Sequence, residues 1–272
     1  MLEYISVSEA IGRRGLRLVL SASTPGPWSQ AAKAIFDIKG IKYIPVRQVI
    51  GARDELLRQW TGQEAAPVAM FEDERPRARW DEILLLAERL APEPRLIPRD
   101  EGDRADMFGL ANCLCGEDGL CWNVRLYQLH RDGILQHRVK QAPVEPDDPY
   151  RVALSEDGIA TLQARYGDPT RTRDDIRARM IAIVELLAHR YLANRARGSQ
   201  YMIRDQLTAL DVYWAVFSGV VCPFAEEHCP MPKFTREMRE RNRALLGDAL
   251  HPALIEHRDY ILMNYFALPL NF

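Results

Sequence analysis

The stretch LRLVLSASTPGPWSQAAKAIF, residues 16–36, decides the fold of this chain. It begins with a short, continuously apolar run that is typical of a buried strand. Two prolines and a glycine follow, and then a pattern with Ala32, Ile35 and Phe36 on one face predicts a helix over 29–39. Such a junction places a helix N-terminus, with its unpaired N–H groups, at the end of a sheet. The stretch is therefore either a site for an anion or thiolate, or a tight turn only.

The elements that follow extend this start into an α/β unit. Gly40 is a natural helix stop, and IKYIPV, residues 41–46, predicts a second strand parallel to the first. APVAMF, residues 66–71, predicts a third strand, and the charged turn at 72–77 indicates a hairpin into a short fourth strand. A predicted helix over 81–90, with acidic residues in its first turn, completes the unit.

The pattern changes after this helix. Residues 91–104, APEPRLIPRDEGDR, are rich in proline and charge and predict a linker. Helical patterns follow, among them an amphipathic one at 172–195 and a mostly apolar one at 207–221. We expect an α/β domain over 1–93, a linker over 94–103 and an all-helical domain over 104–272.

Composition limits the partners of this chain. Its 272 residues are 47% hydrophobic and 27% charged, with a formal net charge of −2, so we expect neither nucleic acid nor an anionic membrane as a partner. No apolar run is long enough to span a bilayer. The first twenty residues carry Glu3, Glu9 and three arginines and no signal-peptide core, which favours a cytoplasmic location.

Two other groups of residues are candidate sites. The cysteines number five, an odd count that argues against a fully paired disulfide framework. They stand, with a neighbouring histidine, at Cys113, Cys115, Cys121, Cys222, Cys229 and His228. Because neither cysteine group has C-x2-C spacing, we expect no metal site. Residues 257–260, HRDY, indicate a solvated helix surface, since adjacent helical residues point in different directions.

Two motifs carry a resemblance to the cytosolic glutathione transferase superfamily. The first is APVAMF: in that family a cis-proline precedes the third strand, and the residue before it pairs its main chain with the cysteinyl part of glutathione. Pro67 and Ala66 match these positions. The second is GSQYMIRDQLTALDVYWAVF, residues 198–217, in which Thr208 and Asp211 match the capping box of a buried helix.

The resemblance spans most of residues 14–265, although 130–170 looks like an insertion of undefined role. It implies a thioredoxin-like α/β domain that binds glutathione, followed by an all-α helical domain. It also implies glutathione as co-substrate, a small-molecule electrophile as second substrate, and a homodimer.

The position that activates the glutathione thiol departs from the family pattern. Many members have a Cys or Ser there, whereas this chain has the motif PGPW and places Gly26 at that point, which sets it in an unassigned subgroup. The hydroxyls of Thr24 and Ser23, ahead of Ser29, are candidates to donate to a thiolate, and they are also candidates to cap the helix. Because proline lacks an N–H, the expected main-chain donors are the amides of Gly26, Trp28 and Ser29.

The family's clamp for the γ-glutamyl end of glutathione is also altered. Members have [DE]-S-x-x-I at the start of the helix after the third strand. Alignment on Ile83 puts Arg79 and Trp80 in those places, and a shift by one residue brings Asp81 in place of the serine. Trp80 and Asp81 are therefore candidate glutathione contacts, and Trp80 is alternatively a packing residue between domains.

The cleft for the second substrate is expected along the first helix of the helical domain, which is broken at GEDG, residues 116–119. Glu117, Trp122 and Arg125 are the candidate cleft residues: Trp122 is suited to stack on a flat substrate and Arg125 to pair with a carboxylate. Core packing of Trp122 and a solvated ion pair of the other two are the alternatives.

The sequence leaves three functions open. The leading hypothesis is a glutathione transferase that conjugates glutathione to a small hydrophobic electrophile. The alternatives are a glutathione-dependent lyase or oxidoreductase, and a non-catalytic binding protein that kept the fold. Thiol reduction through an N-terminal cysteine is disfavoured because the first cysteine is Cys113.

Overall fold

A computed structural model describes residues 2–130, 133–135, 150–167 and 170–272 of the chain. Of the predicted insertion at 130–170, the residues 131–132, 136–149 and 168–169 lie outside this description. The rest of the insertion contains a helix, Glu156–Tyr166.

A mixed three-stranded sheet forms the centre of the N-terminal unit. Its strands are β1 (Leu16–Ser21), β2 (Ile44–Gln48) and β3 (Val68–Phe71), in the order β2-β1-β3. The pair β1 and β2 is parallel, which confirms the sequence prediction, and β3 is antiparallel to β1. All six residues of β1 are buried, as expected of a strand covered on both faces.

The predicted fourth strand is wrong in extent. Arg77 forms a single antiparallel bridge with Ala69, through N–H to carbonyl hydrogen bonds of 3.0 and 2.8 Å. The neighbouring residue is Pro76, which has no N–H to donate to a longer ladder. The chain instead turns into a helix at Trp80.

Helices cover both faces of the sheet. They are α1 (Val7–Ile11), α2 (Pro27–Ile38), α3 (Glu55–Thr61) and α4 (Trp80–Leu90). Because side chains alternate along a strand, Leu18 and Leu20 face the core shared with Phe36 of α2. Val19 faces the opposite core with Leu57 of α3. The result is a three-layer α/β unit with α2 and α4 on the side that meets the later helices.

A buried ion pair fixes the chain after α4. The Lys39 ammonium donates to Glu88 Oε1 at 2.6 Å and to the Pro94 carbonyl at 2.7 Å, and its side chain is fully buried. Glu88 Oε1 also accepts from the Leu96 N–H at 3.0 Å. The start of the predicted linker is thus held against the α/β unit. We propose that this unit ends near residue 93 and that the linker 94–103 includes the first residues of the next helix.

The rest of the described chain is helical. The helices are α5 (Glu101–Cys115), α6 (Leu120–Leu129), α7 (Glu156–Tyr166), α8 (Arg173–Arg195), α9 (Ala209–Phe217), α10 (Lys233–Leu246) and α11 (Pro252–Tyr265). Every residue of α9 is buried, so this helix forms the centre of the group, and it packs on α2, α5 and α11. An α/β unit followed by helices is the architecture that the sequence predicts.

A buried carboxylate organises the start of α9. Asp211 accepts from the Thr208 N–H at 2.8 Å and the Thr208 hydroxyl at 2.7 Å, which confirms the predicted capping box. It also accepts from the Met202 N–H at 2.8 Å and lies 2.9 Å from Nε2 of His257. The predicted solvated surface at 257–260 is therefore wrong for its first two residues, since His257 and Arg258 are buried between helices.

Candidate functional site

The turn between β1 and α2 uses one of the main-chain donors that the sequence assigned to a ligand. The Gly26 N–H donates to the Thr24 carbonyl at 2.8 Å, so the expectation that it is available was wrong. The bond closes the tight turn between the two prolines. Gly26 is the N-cap residue and Pro27 the first residue of α2, a position where the missing N–H of proline costs no helical hydrogen bond.

The amino end of α2 is open. No side chain caps it within the described residues, and the N–H groups of Trp28 and Ser29 donate to no described acceptor. Unpaired N–H groups and the aligned peptide dipoles make such an end attractive to negative charge. Two of the three predicted main-chain donors at this turn therefore have no partner in the described part of the chain.

The three candidate hydroxyls lie in different surroundings. Ser23 is exposed and adopts a left-handed backbone with φ of 59°. Thr24 is fully buried, and its hydroxyl makes a long 3.5 Å contact with the Ser21 carbonyl. Ser29 is buried against β1, where Oγ accepts from the Ser21 N–H at 3.0 Å. Ser29 thus ties the helix to the strand, while Thr24 has the least engaged buried hydroxyl.

Ser21 is a neighbour of the site that sequence reasoning missed. A Cβ placed on Gly26 would lie 3.6 Å from Ser21 Cβ, 3.8 Å from Ser21 Oγ and 3.9 Å from Thr24 Oγ1. The hydroxyls of Ser21 and Thr24 therefore flank the point where the family has its activating side chain. Ser21 ends a strand, and the carboxyl ends of strands are where α/β folds place ligands, which is the signal that could have found it.

A large cavity opens beside this turn. About 740 Å³ of space, open solvent included, lies between its lining residues. The turn residues 25–28 form one wall, α6 and α10 form two others, and residues 150–162 approach from a fourth side. Two cations, Arg125 and Arg239, line it, and Arg239 donates from Nη2 to the Pro25 carbonyl at 2.9 Å.

The two arginines act on the same buried groups. Burial raises the pKa of the Cys121 thiol, and the charges of Arg125 and Arg239 partly oppose that rise. Burial also raises the pKa of Tyr150, against the charges of Arg239 and Arg125. Cys121 and Tyr150 both line the cavity, so the positive charge of both guanidiniums reaches its interior.

A smaller cavity lies on the other side of Trp28. It is lined by Pro67, by Trp80 and by Tyr213 and Phe217 of α9. Trp28 lines both cavities; its ring meets Phe217 edge to face with centroids 5.4 Å apart. Its Nε1 donates to the Cys115 carbonyl at 2.8 Å, which fixes the indole as the wall between them.

The peptide bond between Ala66 and Pro67 is cis, as the resemblance implies. Ala66 is half-buried, and neither its N–H nor its carbonyl has a hydrogen-bond partner among the described residues. Free main-chain groups beside a strand are what an extended peptide needs to add itself to a sheet edge.

Trp80 and Asp81 begin α4 near this second cavity. The Trp80 ring packs edge to face on Tyr213 with centroids 5.6 Å apart and lies tilted against Phe108 at 5.9 Å, so it packs between α4, α5 and α9. Asp81 holds Arg79 through two 3.0 Å bonds. Partial burial raises the pKa of Asp81, but the Arg79 bonds and charge outweigh it and leave that pKa below its usual value.

The structure brings only one of the three predicted cleft residues into the large cavity. Arg125 lines it, with Nη1 3.5 Å from Gln128 Oε1. Trp122 is half-buried and packs on Tyr166 with centroids 4.6 Å apart, outside the lining. Glu117 is exposed on the turn between α5 and α6 and does not line the cavity. Arg239 is a lining residue that sequence reasoning missed, because nothing in the pattern of α10 distinguishes it from its exposed neighbours.

The described residues contain no group of three or more His, Cys, Asp and Glu side chains that could hold a metal ion. The five cysteines are free thiols, and all but Cys113 are buried. Within the same part of the chain, no helix has the length and apolar character needed to cross a membrane.

No protein-family model matches the chain, and no curated protein matches its sequence. Solved structures do match. A glutathione S-transferase domain-containing protein from Marinobacter aquaeolei VT8 is 15% identical, with a TM-score of 0.60 over 91% of this chain and 98% of that one. The Tau class glutathione S-transferase of mango, Mangifera indica, is 14% identical, with a TM-score of 0.55 over 92% and 89%.

A third match is a glutathione transferase homolog from Sulfitobacter, solved with bound glutathione. It is 14% identical, with a TM-score of 0.51 over 92% of this chain and 93% of that one. At these identities the likeness shows the fold. The chain has the glutathione transferase fold, a thioredoxin-like α/β domain followed by an all-helical domain, and the predicted fold class is confirmed.

Proposed function

We propose that this protein is a glutathione transferase that conjugates glutathione to a small, largely apolar electrophile. The observation that carries the proposal is the open amino end of α2, which forms a wall of the large cavity. A thiolate held at this end faces a space that is lined mostly by apolar side chains.

Glutathione is proposed to dock along Ala66 and Pro67, with its cysteinyl main chain on the free groups of Ala66. Its sulfur then lies near Gly26, where the absence of a Cβ allows close approach. The amides of Trp28 and Ser29 and one hydroxyl, from Thr24 before Ser23, would stabilise the thiolate. Ser29 contributes less because its hydroxyl is engaged with Ser21.

The γ-glutamyl end is proposed to lie at the start of α4. The low pKa of Asp81 keeps its carboxylate ionised, so it can receive the α-ammonium group of glutathione. Trp80 is proposed to border this end of the site through its packing on Tyr213, without a hydrogen bond from its ring to glutathione.

The proposed reaction transfers a carbon group to sulfur. The glutathione thiol loses its proton to solvent, and the thiolate sulfur attacks the electrophilic carbon with an electron pair. The carbon–sulfur bond forms, the bond to the leaving group breaks, and the leaving group departs with that bonding pair. Arg125 at the cavity wall is proposed to position the electrophile.

The test is titration calorimetry with glutathione, followed by a conjugation assay with chlorodinitrobenzene. We expect heat of binding and an enzyme-dependent rate. Asp81→Asn should weaken glutathione binding about tenfold, the usual value of one charge-assisted contact. Glu82→Gln, which removes the next carboxylate on the same helix, should leave the affinity unchanged because Glu82 pairs with Arg75. No heat and no thermal shift at millimolar glutathione would contradict the proposal.

Binding without catalysis is a second candidate function. Gly26 offers no hydroxyl or thiol, and its N–H is engaged within the turn, which favours this reading. Glutathione binding with no conjugation of any electrophile tested would support it.

A homodimer acting in the cytoplasm is proposed as the working state. Sedimentation that shows only a 31.2 kDa species would remove the dimer from the proposal.

A further inference from the structure

The described lining of the large cavity is positively charged. Its lining includes two arginines, Arg125 and Arg239, and no aspartate or glutamate among the described residues. Arg239 is only 5% exposed. Its described hydrogen bond goes to a neutral acceptor, the Pro25 carbonyl, and it has no carboxylate partner in the described part of the chain. A charged side chain is thus buried at the cavity wall without a counter-ion among the described residues.

Such an arrangement is costly without a ligand. Burying a charge is unfavourable unless an opposite charge and hydrogen bonds compensate it. Lys39, by comparison, has Glu88 at 2.6 Å, and Arg258 has Asp259 at 2.8 Å. Arg239 has no such partner among the described residues, and most of its donors remain for a molecule in the cavity. A planar guanidinium with several donors is suited to a carboxylate.

The remainder of the lining is mostly apolar. Val124, Leu135, Leu154, Leu162, Val220 and Met238 are among its residues. The cavity therefore suits a molecule with an apolar body and one anionic end. Glutathione, with several polar groups along its whole length, does not have this character.

We propose that the second ligand of this protein is an apolar carboxylate, whose carboxylate group binds to Arg239 with Arg125 as the second cation. The identity of this ligand as an electrophilic co-substrate rests on the proposed function, whereas its binding does not require glutathione. The carboxylates of glutathione itself are placed elsewhere, because Trp28 separates the Pro67 side of the site from this cavity.

The test compares two probes of equal shape, phenylhexanoate and phenylhexanamide, by titration calorimetry at neutral pH without glutathione. Wild-type protein should bind the carboxylate at least about tenfold more tightly than the amide, as expected of a charge-assisted contact. Arg239→Gln should abolish this preference and Arg125→Gln should reduce it. Arg243→Gln, an exposed arginine on the same helix outside the lining, should leave it unchanged.

Thermal unfolding of each variant shows whether it is folded. If Arg239→Gln does not fold, the reduced preference of Arg125→Gln for the carboxylate probe still tests the proposal. Equal affinity of wild-type protein for the two probes would overturn the proposal, as would a preference that both variants retain. A carboxylate preference in a protein that shows no glutathione binding would leave this inference standing and remove the proposed transferase function.

Discussion

Arg239 of α10 and Pro25 of the turn before α2 are joined across 214 residues of sequence by a 2.9 Å hydrogen bond from Nη2 to the carbonyl oxygen. The bond holds the helical group against the open amino end of α2. It also fixes the guanidinium at the cavity wall. One contact thus connects the position of the turn with the positive charge at the wall of the large cavity.

Arg239→Gln is expected to destabilise the protein. The variant loses a hydrogen bond from a charged donor to a buried carbonyl, which typically contributes about 1.5–3 kcal/mol to the free energy of unfolding. Urea denaturation measures the loss. The control Arg243→Gln, on the exposed side of the same helix, should change the free energy by less than about 0.5 kcal/mol. Equal effects of the two substitutions would show that the Pro25 contact does not stabilise the fold.

Asp211→Asn is expected to be much more damaging than the same change in an exposed capping box. Asp211 is fully buried and accepts from Thr208 and Met202, so we expect a loss of about 3 kcal/mol or more. The matched control is Asp175→Asn, whose carboxylate caps Thr172 at the exposed start of α8, with an expected loss of about 1 kcal/mol or less. Chemical denaturation of both variants checks the ratio, and similar losses would contradict the central role of Asp211.

The contacts of Asp118 lead us to expect that the protein loses stability in acid. It contacts Arg171 at 2.8 Å and Arg179 at 3.0 Å. Partial burial raises its pKa, but the Asn123 hydrogen bond and the two arginine charges hold that pKa below its usual value. Because the folded pKa lies below the unfolded one, the stabilisation is present above about pH 4 and disappears as the pH falls through the folded pKa.

Asp118→Asn should therefore reduce the loss of Tm between neutral pH and acid. The effect is small, below about 1 kcal/mol, since this carboxylate is half exposed and screened by solvent. The control is Glu117→Gln, which removes the exposed neighbouring carboxylate. An equal loss of Tm between neutral pH and acid in wild type and Asp118→Asn would contradict the prediction.

Local patterns were sufficient to predict most of the fold. The apolar run of β1, the helix that follows it and the capping box of α9 are each specified by a few adjacent residues. The predicted fourth strand is only a single bridge, because strand length depends on the partner strand and on where Pro76 interrupts the N–H ladder. His257 was wrongly assigned to the surface because its partner Asp211 lies on another helix.

The candidate site was predictable only where it follows the chain. The turn 23–29 and the Ala66–Pro67 peptide bond could be recognised from motifs. The hydrogen bond from the Gly26 N–H to the Thr24 carbonyl could not be predicted, because it depends on the path of the main chain in the turn. The position of Arg239 in the cavity lining could not be predicted either. The helix contains several arginines, and its sequence pattern does not distinguish a buried arginine from an exposed one.

The hydroxyls near Gly26 are expected to contribute unequally to thiolate stabilisation. Thr24→Ala should raise the pKa of the bound glutathione thiol most, because this buried hydroxyl has only a long contact to compete with a ligand. Ser23→Ala should have a smaller effect. Ser29→Ala should mainly lower stability, since its hydroxyl joins α2 to Ser21. Ultraviolet absorbance of the thiolate, followed against pH in each complex, gives the values, and an unchanged pKa in all three variants would exclude the hydroxyls.

The most direct test of the central claim, that the open amino end of α2 holds the glutathione thiolate, is the thiol pKa of glutathione bound to the wild-type protein. The same ultraviolet titration measures it, with free glutathione in the same buffer as reference. The N–H groups of Trp28 and Ser29 and the positive end of the helix dipole stabilise the thiolate. We therefore predict that the thiol pKa of bound glutathione is clearly below that of free glutathione. A bound thiol with the pKa of free glutathione would contradict it.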